Sequence, residues 1–544
     1  MTLSGTALSR AQTVPGGDAA AQRARILLVL PFDNRSLQPN LEWVREAAAE
    51  ILTSRLASAG FAPMSRADRL YALDHLGMPQ GFHPSRATAL KLAETLDADS
   101  IVVGSFQADG TGIQAEARLV DVERLRMGEA VTARGEMKEL IGVFGSLAWK
   151  LTRQLDPGFS GSEETFVAAG KGLRLDAFEQ YIRGITEPDH DERLRHLNQS
   201  VKLSPDFAPA WMALGREDYN GQQYEEAAAA FAKVGGSGPD ALEAGFYRGL
   251  SLLFSGGYPA AEQAFAGVAR VLPLAEVVNN EGVAVSRQGH DGSPLFRQAA
   301  ASDPSAADYH FNLAVSLKRH GAAAEAVTEL AQCLRLRPND GEAQDLMAEW
   351  NPPPARMVEG PTSIPASSPA AGPGPGPESS PDAEAKPDPL ERISRSFDAV
   401  AFRQAALMLD QLDASRLAEL TPLQRAEKLT GQAREYLDRG LLLEAERVYL
   451  LAEAADGSVA DAHLGLAEAR ERGGDTEAAR KEARAALELK PSADAYLVLS
   501  RLDLAAGRLK EAASEATEAL KVDPASTAAR ELERQIQARE GQKK

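Results

Sequence analysis

WMALGREDYNGQQYEEAAAAFAKVGGSGP, residues 211–239, decides the fold. Trp211-x2-Leu214-Gly215 opens one helix, Ala227-x3-Phe231 lies on a second, and Pro239 closes the unit. Small residues at 215 and 227 let the two helices approach closely. Trp211 and Phe231 are expected to fill the gap between neighbouring units. Proline cannot continue a helix, so Pro239 fixes the break. The break recurs at Pro205, Pro239, Pro273, Pro304 and Pro338, at intervals of 34, 34, 31 and 34 residues. A fixed period of that length predicts stacked two-helix repeats, an architecture of binding scaffolds rather than catalysts.

The pattern W-x2-L-G…A-x3-F…P resembles the tetratricopeptide repeat, with Asp218 in place of the usual tyrosine. Further units carry Gly249, Ala261-x3-Phe265 and Pro273; Asn279-Asn280-Glu281-Gly282-Val283-Ala284 and Pro304; and Leu313-Ala314, Gly321, Ala326-x3-Leu330, Cys333 and Pro338. A weaker first unit begins near Arg174. The expectation is about five repeats over 174–350, with Glu342–Trp350 as a capping helix. The unit ending at Pro304 is three residues short, which predicts a clipped turn or shortened second helix near Gly289–Pro294.

Asn351–Pro389 holds 12 of the chain's 31 prolines, too many to bury a core, so it is predicted to be a disordered tether. Beyond it, 390–541 is read as a second array of three to four repeats. Ala445-x3-Tyr449, Ala479-x3-Ala483 and Ala512-x3-Ala516 take the second-helix positions, with Gly440, Gly474 and Gly507 in the turns. Arg392–Leu409 reads as a degenerate leading hairpin and Thr527–Gln537 as a polar cap.

Ahead of the repeats, residues 25–157 change period. Arg25–Phe32 is a short apolar run, read as a central buried strand. Helices are predicted over Leu41–Ala59 and Pro84–Leu96. Ser100–Phe106 and Ile113–Val120 alternate around the hairpin turn Asp109-Gly110-Thr111-Gly112, a third strand is read over Glu129–Arg134, and a helix over Leu140–Leu155 closes an α/β domain. LLVLPFDN, DADSIVVGSF and the hairpin ending in RLVDVE resemble the amino-terminal domain of TolB and its relatives. The resemblance implies a cell-envelope or signalling setting in bacteria, although TolB's propeller has no counterpart here.

The chain is thus read as multidomain: an α/β head, then two all-α tetratricopeptide solenoids joined by a Pro-rich linker. Net charge is −19 without a clustered basic face, which argues against nucleic-acid binding. The single cysteine, Cys333, excludes an intrachain disulfide and reads as core filler. No apolar run is long enough for a membrane helix. Residues 1–24 are expected to be disordered or the remainder of a signal peptide. The compartment is periplasmic if such a peptide begins upstream of Met1, and otherwise cytoplasmic.

No catalytic, metal or cofactor grouping stands out, and no enzyme is expected. His190 and His196 have the wrong spacing for one helical face. The expected function is a protein–protein scaffold that binds peptides or helices. Its groove would be lined by Met212, Arg216, Tyr219, Phe246, Asn279, Phe311 and Arg319. The Lys/Asn set that clamps a terminal carboxylate in chaperone-binding relatives is not evident. The alternative is a regulatory sensor whose head binds a small molecule or controls a separate enzyme.

Overall fold

The computed structural model describes residues 25–36, 38–79, 85–235, 239–351, 389–395 and 414–542. The expected segment 1–24 and nearly all of the predicted linker lie outside these residues. Two compact units are formed. One joins the chain up to Pro188, with Lys202–Ser204, to Ala414–Lys544; the other holds Asp189–Val201 and Pro205–Asp413. No helix among the described residues is long and apolar enough to cross a membrane.

In the first unit, the apolar run forms β1 (Ile26–Val29), which pairs in parallel with β3 (Ala62–Pro63) on one side and β4 (Ser100–Asp109) on the other. Leu27, Leu28 and Val29 are buried on both faces, as a central strand requires. β4 turns through Gly110, at φ +58°, into β5 (Gly112–Asp121), which runs antiparallel along the whole of β4. β2 (Asp33–Asn34) adds to β4, and β6 (Arg126–Met127) and β7 (Val131–Glu136) add to β5. The short strands β2, β3 and β6 were not legible in the sequence. Neither was helix α2 (Arg66–His75), which a Ser65–Asp68 capping box starts.

Helix α1 (Trp43–Ser58) and, beyond α3 (Arg86–Thr95), helix α4 (Leu140–Leu155) meet on the sheet. Phe144 of α4 abuts Phe32 edge-on at 5.6 Å. Here Glu50 of α1 lies beside Glu46, and Tyr181 of helix α6 (Leu175–Thr186) donates to it at 3.4 Å. Burial, then the Glu46 charge, push its pKa up to about 7. A raised carboxyl pKa stabilises the fold fully below the unfolded value of about 4.5. That advantage is lost as pH rises towards 7. Glu50→Gln is therefore expected to raise stability at pH 8 by roughly 1–3 kcal/mol and to change little at pH 4. Thermal melting at the two pH values checks it, and an equal shift at both would contradict the assignment.

The same unit contains the carboxy-terminal helices α17 (Pro422–Asp438), α18 (Leu442–Ala455), α19 (Ala460–Gly473), α20 (Thr476–Leu489), α21 (Ala493–Ala505), α22 (Leu509–Val522) and α23 (Thr527–Gln542). They pair as antiparallel hairpins whose cores are largely alanine: Ala445, Ala479, Ala483, Ala512 and Ala516 are all fully buried. The array packs against the head. Between the two lies the short helix α5 (Glu163–Ala168), next to α19. Gly473 faces Thr165 so closely that a Cβ there would sit 2.9 Å from its hydroxyl. The Ser162 amide donates to Glu446 of α18 at 3.2 Å.

The second unit contains α7 (His190–Leu203, apart from its last two residues) and the pairs α8 (Ala208–Asn220) with α9 (Tyr224–Phe231), α10 (Pro239–Phe254) with α11 (Tyr258–Ala269), α12 (Ala275–Arg287) with α13 (Ser293–Ser302), and α14 (Ala307–Arg319) with α15 (Ala323–Leu336). Helix α16 (Gly341–Trp350) follows. Glycine on each first helix receives an aromatic ring from the second: Gly215 with Phe231, Gly249 with Phe265, Gly282 with Phe296. A methyl group at any of the three would lie within 2.8 Å of the ring. The short repeat loses its residues at the start of α13. That helix begins after Gln288–Gly292 and reaches Phe296 in its first turn.

One packing expectation changes. Trp211 is only half-buried, and its indole N–H donates to the Pro205 carbonyl at 2.7 Å. The same link, six residues back, is made by Gln344 to Pro338, His310 to Pro304 and His463 to Gly457. The position thus selects a long polar donor that satisfies a carbonyl beyond the preceding helix, rather than an inter-repeat filler.

Candidate functional site

The predicted leading hairpin does not start at Arg392. Residues 389–395 (PLERISR) form no helix and run along α12, α14 and α16 of the second unit, so the 390 boundary of the second array is misplaced. The rest of that stretch, 396–409, lies outside the described residues. The first array therefore holds an extended segment of its own chain.

Three fully buried asparagines grip the backbone of this segment. Asn279 and Asn280 lie on α12, and Asn312 sits at the matching place on α14. The Arg392 amide donates to Asn312 Oδ1 at 2.6 Å, and its carbonyl accepts from Asn312 Nδ2 at 2.8 Å and Asn279 Nδ2 at 3.2 Å. The Ser394 amide donates to Asn280 Oδ1 at 2.9 Å, and its carbonyl accepts from Asn280 Nδ2 at 2.8 Å. Asparagine amides offer a donor and an acceptor on one rigid plane, which matches the N–H and C=O of an extended peptide. A buried amide left without such partners would cost about 1–3 kcal/mol. The groove is thus built around an occupant.

Side chains then sort the sequence of that occupant. The guanidinium of Arg392 stacks on Phe311 with its central carbon 3.6 Å from the ring centroid. It donates to Asp308 at 2.9 Å, to both oxygens of Asp340 at 2.6 and 2.8 Å, and to Glu342 at 3.0 Å. A fork held bidentately over an aromatic floor suits arginine, whereas lysine would lose the geometry. The hydrogen bond from Arg392 holds the Asp340 carboxyl below the usual range. Burial pushes Asp308 upward, but its bonds to Arg337 and Arg392 outweigh that and leave it lowered.

One residue earlier, Glu391 is 3% exposed. It meets Ser286 and Arg319 at one oxygen and Arg287, 3.3 Å away, at the other. Ile393 packs against the apolar cluster around Phe246 and Val277. Arg395 lies over the Phe254 ring at 5.3 Å, while Leu390 points to solvent.

Of the seven groove residues expected from sequence, Asn279, Phe311 and Arg319 touch this segment. Arg216 is exposed and pairs with Glu243 at 2.5 Å. Tyr219 belongs to an aromatic cluster with Tyr224, Tyr247 and Phe254, which Arg395 overlies at its Phe254 edge. Met212 and Phe246 are buried inside the repeats, Met212 against Phe231 and Phe246 against Phe265 in the cluster on which Ile393 packs. Sequence reading missed Asn280, Asn312, Asp308, Asp340, Glu342 and Arg287. Asn279 and Asn312 stand 33 residues apart among apolar neighbours, and polar residues repeated at core positions were the signal available.

A second polar cluster lies in the other unit. Glu453, His463 and Glu482 place ligand-type atoms within 4.8 Å of one another. His463 donates through Nε2 to the Gly457 carbonyl at 3.1 Å, which leaves Nδ1 facing Glu482 at 2.8 Å. The hydrogen bond to Glu482 raises the imidazole pKa. Arg470 donates to Glu482 at 3.0 Å and to Glu446 at 3.1 Å. The Arg470 guanidinium supplies the cluster's positive charge, and the His463 imidazole adds to it when protonated.

Comparison with known proteins agrees with the helical geometry. Residues 195–275, 286–341 and 430–494 match the tetratricopeptide repeat family model. No curated protein matches the chain in sequence. Among solved structures, MamA (residues 41 to the end) from Desulfovibrio magneticus RS-1 is 21% identical, covering 31% of this chain and 99% of that one, with a TM-score of 0.28. YrrB, described as a TPR protein with an unusual peptide-binding site, is 15% identical over 37% of this chain and 98% of that one, at 0.28. The LpoB carboxy-terminal domain from Salmonella enterica is 20% identical over 22% of this chain and 87% of that one, at 0.19. The two helical arrays of this chain are thus built from tetratricopeptide repeats, the kind of module that binds other proteins or peptides.

Proposed function

We propose that the chain is a non-enzymatic interaction scaffold whose first array binds extended peptide segments across α12, α14 and α16. The observation that carries this reading is the seating of residues 389–395. Asparagines hold its backbone, and an acidic, aromatic-floored pocket holds its arginine. Backbone clamping gives affinity for any extended chain, and the arginine pocket selects among them. The head, with its resemblance to TolB amino-terminal domains, is proposed as a second contact unit in a bacterial envelope or signalling assembly.

Panning a random decapeptide library on the Arg392→Ala chain tests the groove, because that change empties the arginine pocket. Enriched peptides are expected to carry arginine with serine two residues on. Binding should fall at least tenfold when Phe311→Ala and Asn312→Ala are added. Enrichment that survives those changes would place binding elsewhere.

A further inference from the structure

We infer that residues 390–395 are an internal competitor: the groove recognises a Glu-Arg-x-Ser peptide, and this chain's own copy keeps it closed until a partner with the same chemistry displaces it. The inference rests on the peptide-groove reading above and adds who occupies the groove and what an incoming partner must carry.

Three observations support it. First, every specific subsite is filled in cis. Glu391 has its two arginines and a serine, Arg392 its three carboxylates and ring, and the Ser394 hydroxyl accepts from Asn279 Nδ2 at 3.4 Å. Second, the segment is held only by side chains and by no helix or strand pairing, so another extended chain can replace it contact for contact. Third, the pocket tolerates departure of the segment. Arg337 already bonds Asp308 at 2.8 Å and lies 3.6 Å from Asp340, so both carboxylates keep a cation when Arg392 leaves. The buried asparagines, Arg287 and Arg319 then lose their partners on the segment, and a new extended chain with an acidic residue restores them.

The connection over 352–388 joins the segment to the end of α16. Because segment and groove belong to one chain, the segment meets the groove at an effective concentration on the order of 1 mM. Against a tethered competitor at about 1 mM whose own intrinsic Kd is about 10 μM, an incoming peptide binds roughly 100-fold more weakly. The incoming partner is therefore an extended chain with an acidic residue, an arginine and a serine in that order. It succeeds by higher affinity, by avidity through a second contact, or by high local concentration.

The test uses the full chain and a fluorescein-labelled PLERISR peptide, read by anisotropy. The wild-type chain is expected to bind weakly. The Glu391→Ala/Arg392→Ala chain, altered only in the segment, should bind 10- to 100-fold more tightly. A PLEAISR peptide should lose at least tenfold on the opened chain. Equal affinity of both chains for PLERISR would overturn the internal competition and leave the groove reading intact. No binding to either chain would overturn the groove reading itself.

Discussion

Arg470→Ala is expected to destabilise the unit formed by the head and the carboxy-terminal array by about 3–5 kcal/mol. Arg470 is the shared partner of Glu446 and Glu482, which are 1% and 3% exposed. Removing it leaves two buried carboxylates with His463 as the nearest basic group. Replacing the ionic set together by apolar residues is expected to cost less, because no charge is then left buried and unpaired. The loss from Arg470→Ala should also depend on pH. Burial raises Glu446 and the bond to Glu482 raises His463. For both groups the stabilisation is complete below the unfolded pKa and is lost as pH rises through the folded one. The single substitution should therefore hurt less at pH 5, where Glu446 takes up its proton more readily, than at pH 8. Chemical denaturation at the two pH values measures this, and a loss below 1 kcal/mol at pH 8 would contradict it.

Phe231→Ala is expected to cost the first array a comparable 3–5 kcal/mol. The ring is 2% exposed, lies against Gly215 and stacks on Tyr247 at a centroid distance of 5.8 Å. Gly215 has no side chain to fill its side of the cavity left by alanine. Hydrogen exchange of α8 and α9 isolates the effect from the other unit, since a chain of two units need not unfold in one step. Unchanged protection there would mean that the ring does not carry the packing assigned to it.

These two residues mark the boundary of what the sequence discloses. Phe231, Gly215 and Pro239 could be read because helix geometry fixes which residues meet three, four or sixteen positions apart. The same geometry puts Asn279, Phe311 and Arg319 on the first-helix faces that residues 389–395 touch. Arg470, Glu446 and Ser162 could not be joined, because 284 residues separate Ser162 from Glu446 and no local period links them. The arginine pocket was hidden for a related reason: Asp308, Asp340 and Glu342 look like ordinary helix-start acids until Arg392 arrives between them. The segment itself misled. Leu390-Glu391-Arg392 has good helix formers, yet its amides are satisfied by Asn280 and Asn312, and tertiary partners override propensity.

The most direct measurement of the central claim is hydrogen exchange at the Arg392 and Ser394 amides of the full chain. Both donate to buried asparagine oxygens, at 2.6 and 2.9 Å. Slowing of at least about 100-fold relative to an unstructured peptide is expected, consistent with an opening free energy of about 2.7 kcal/mol or more. Asn280→Ala with Asn312→Ala should abolish the protection. Exchange of both amides at the rate of a free peptide in the wild-type chain would contradict the account.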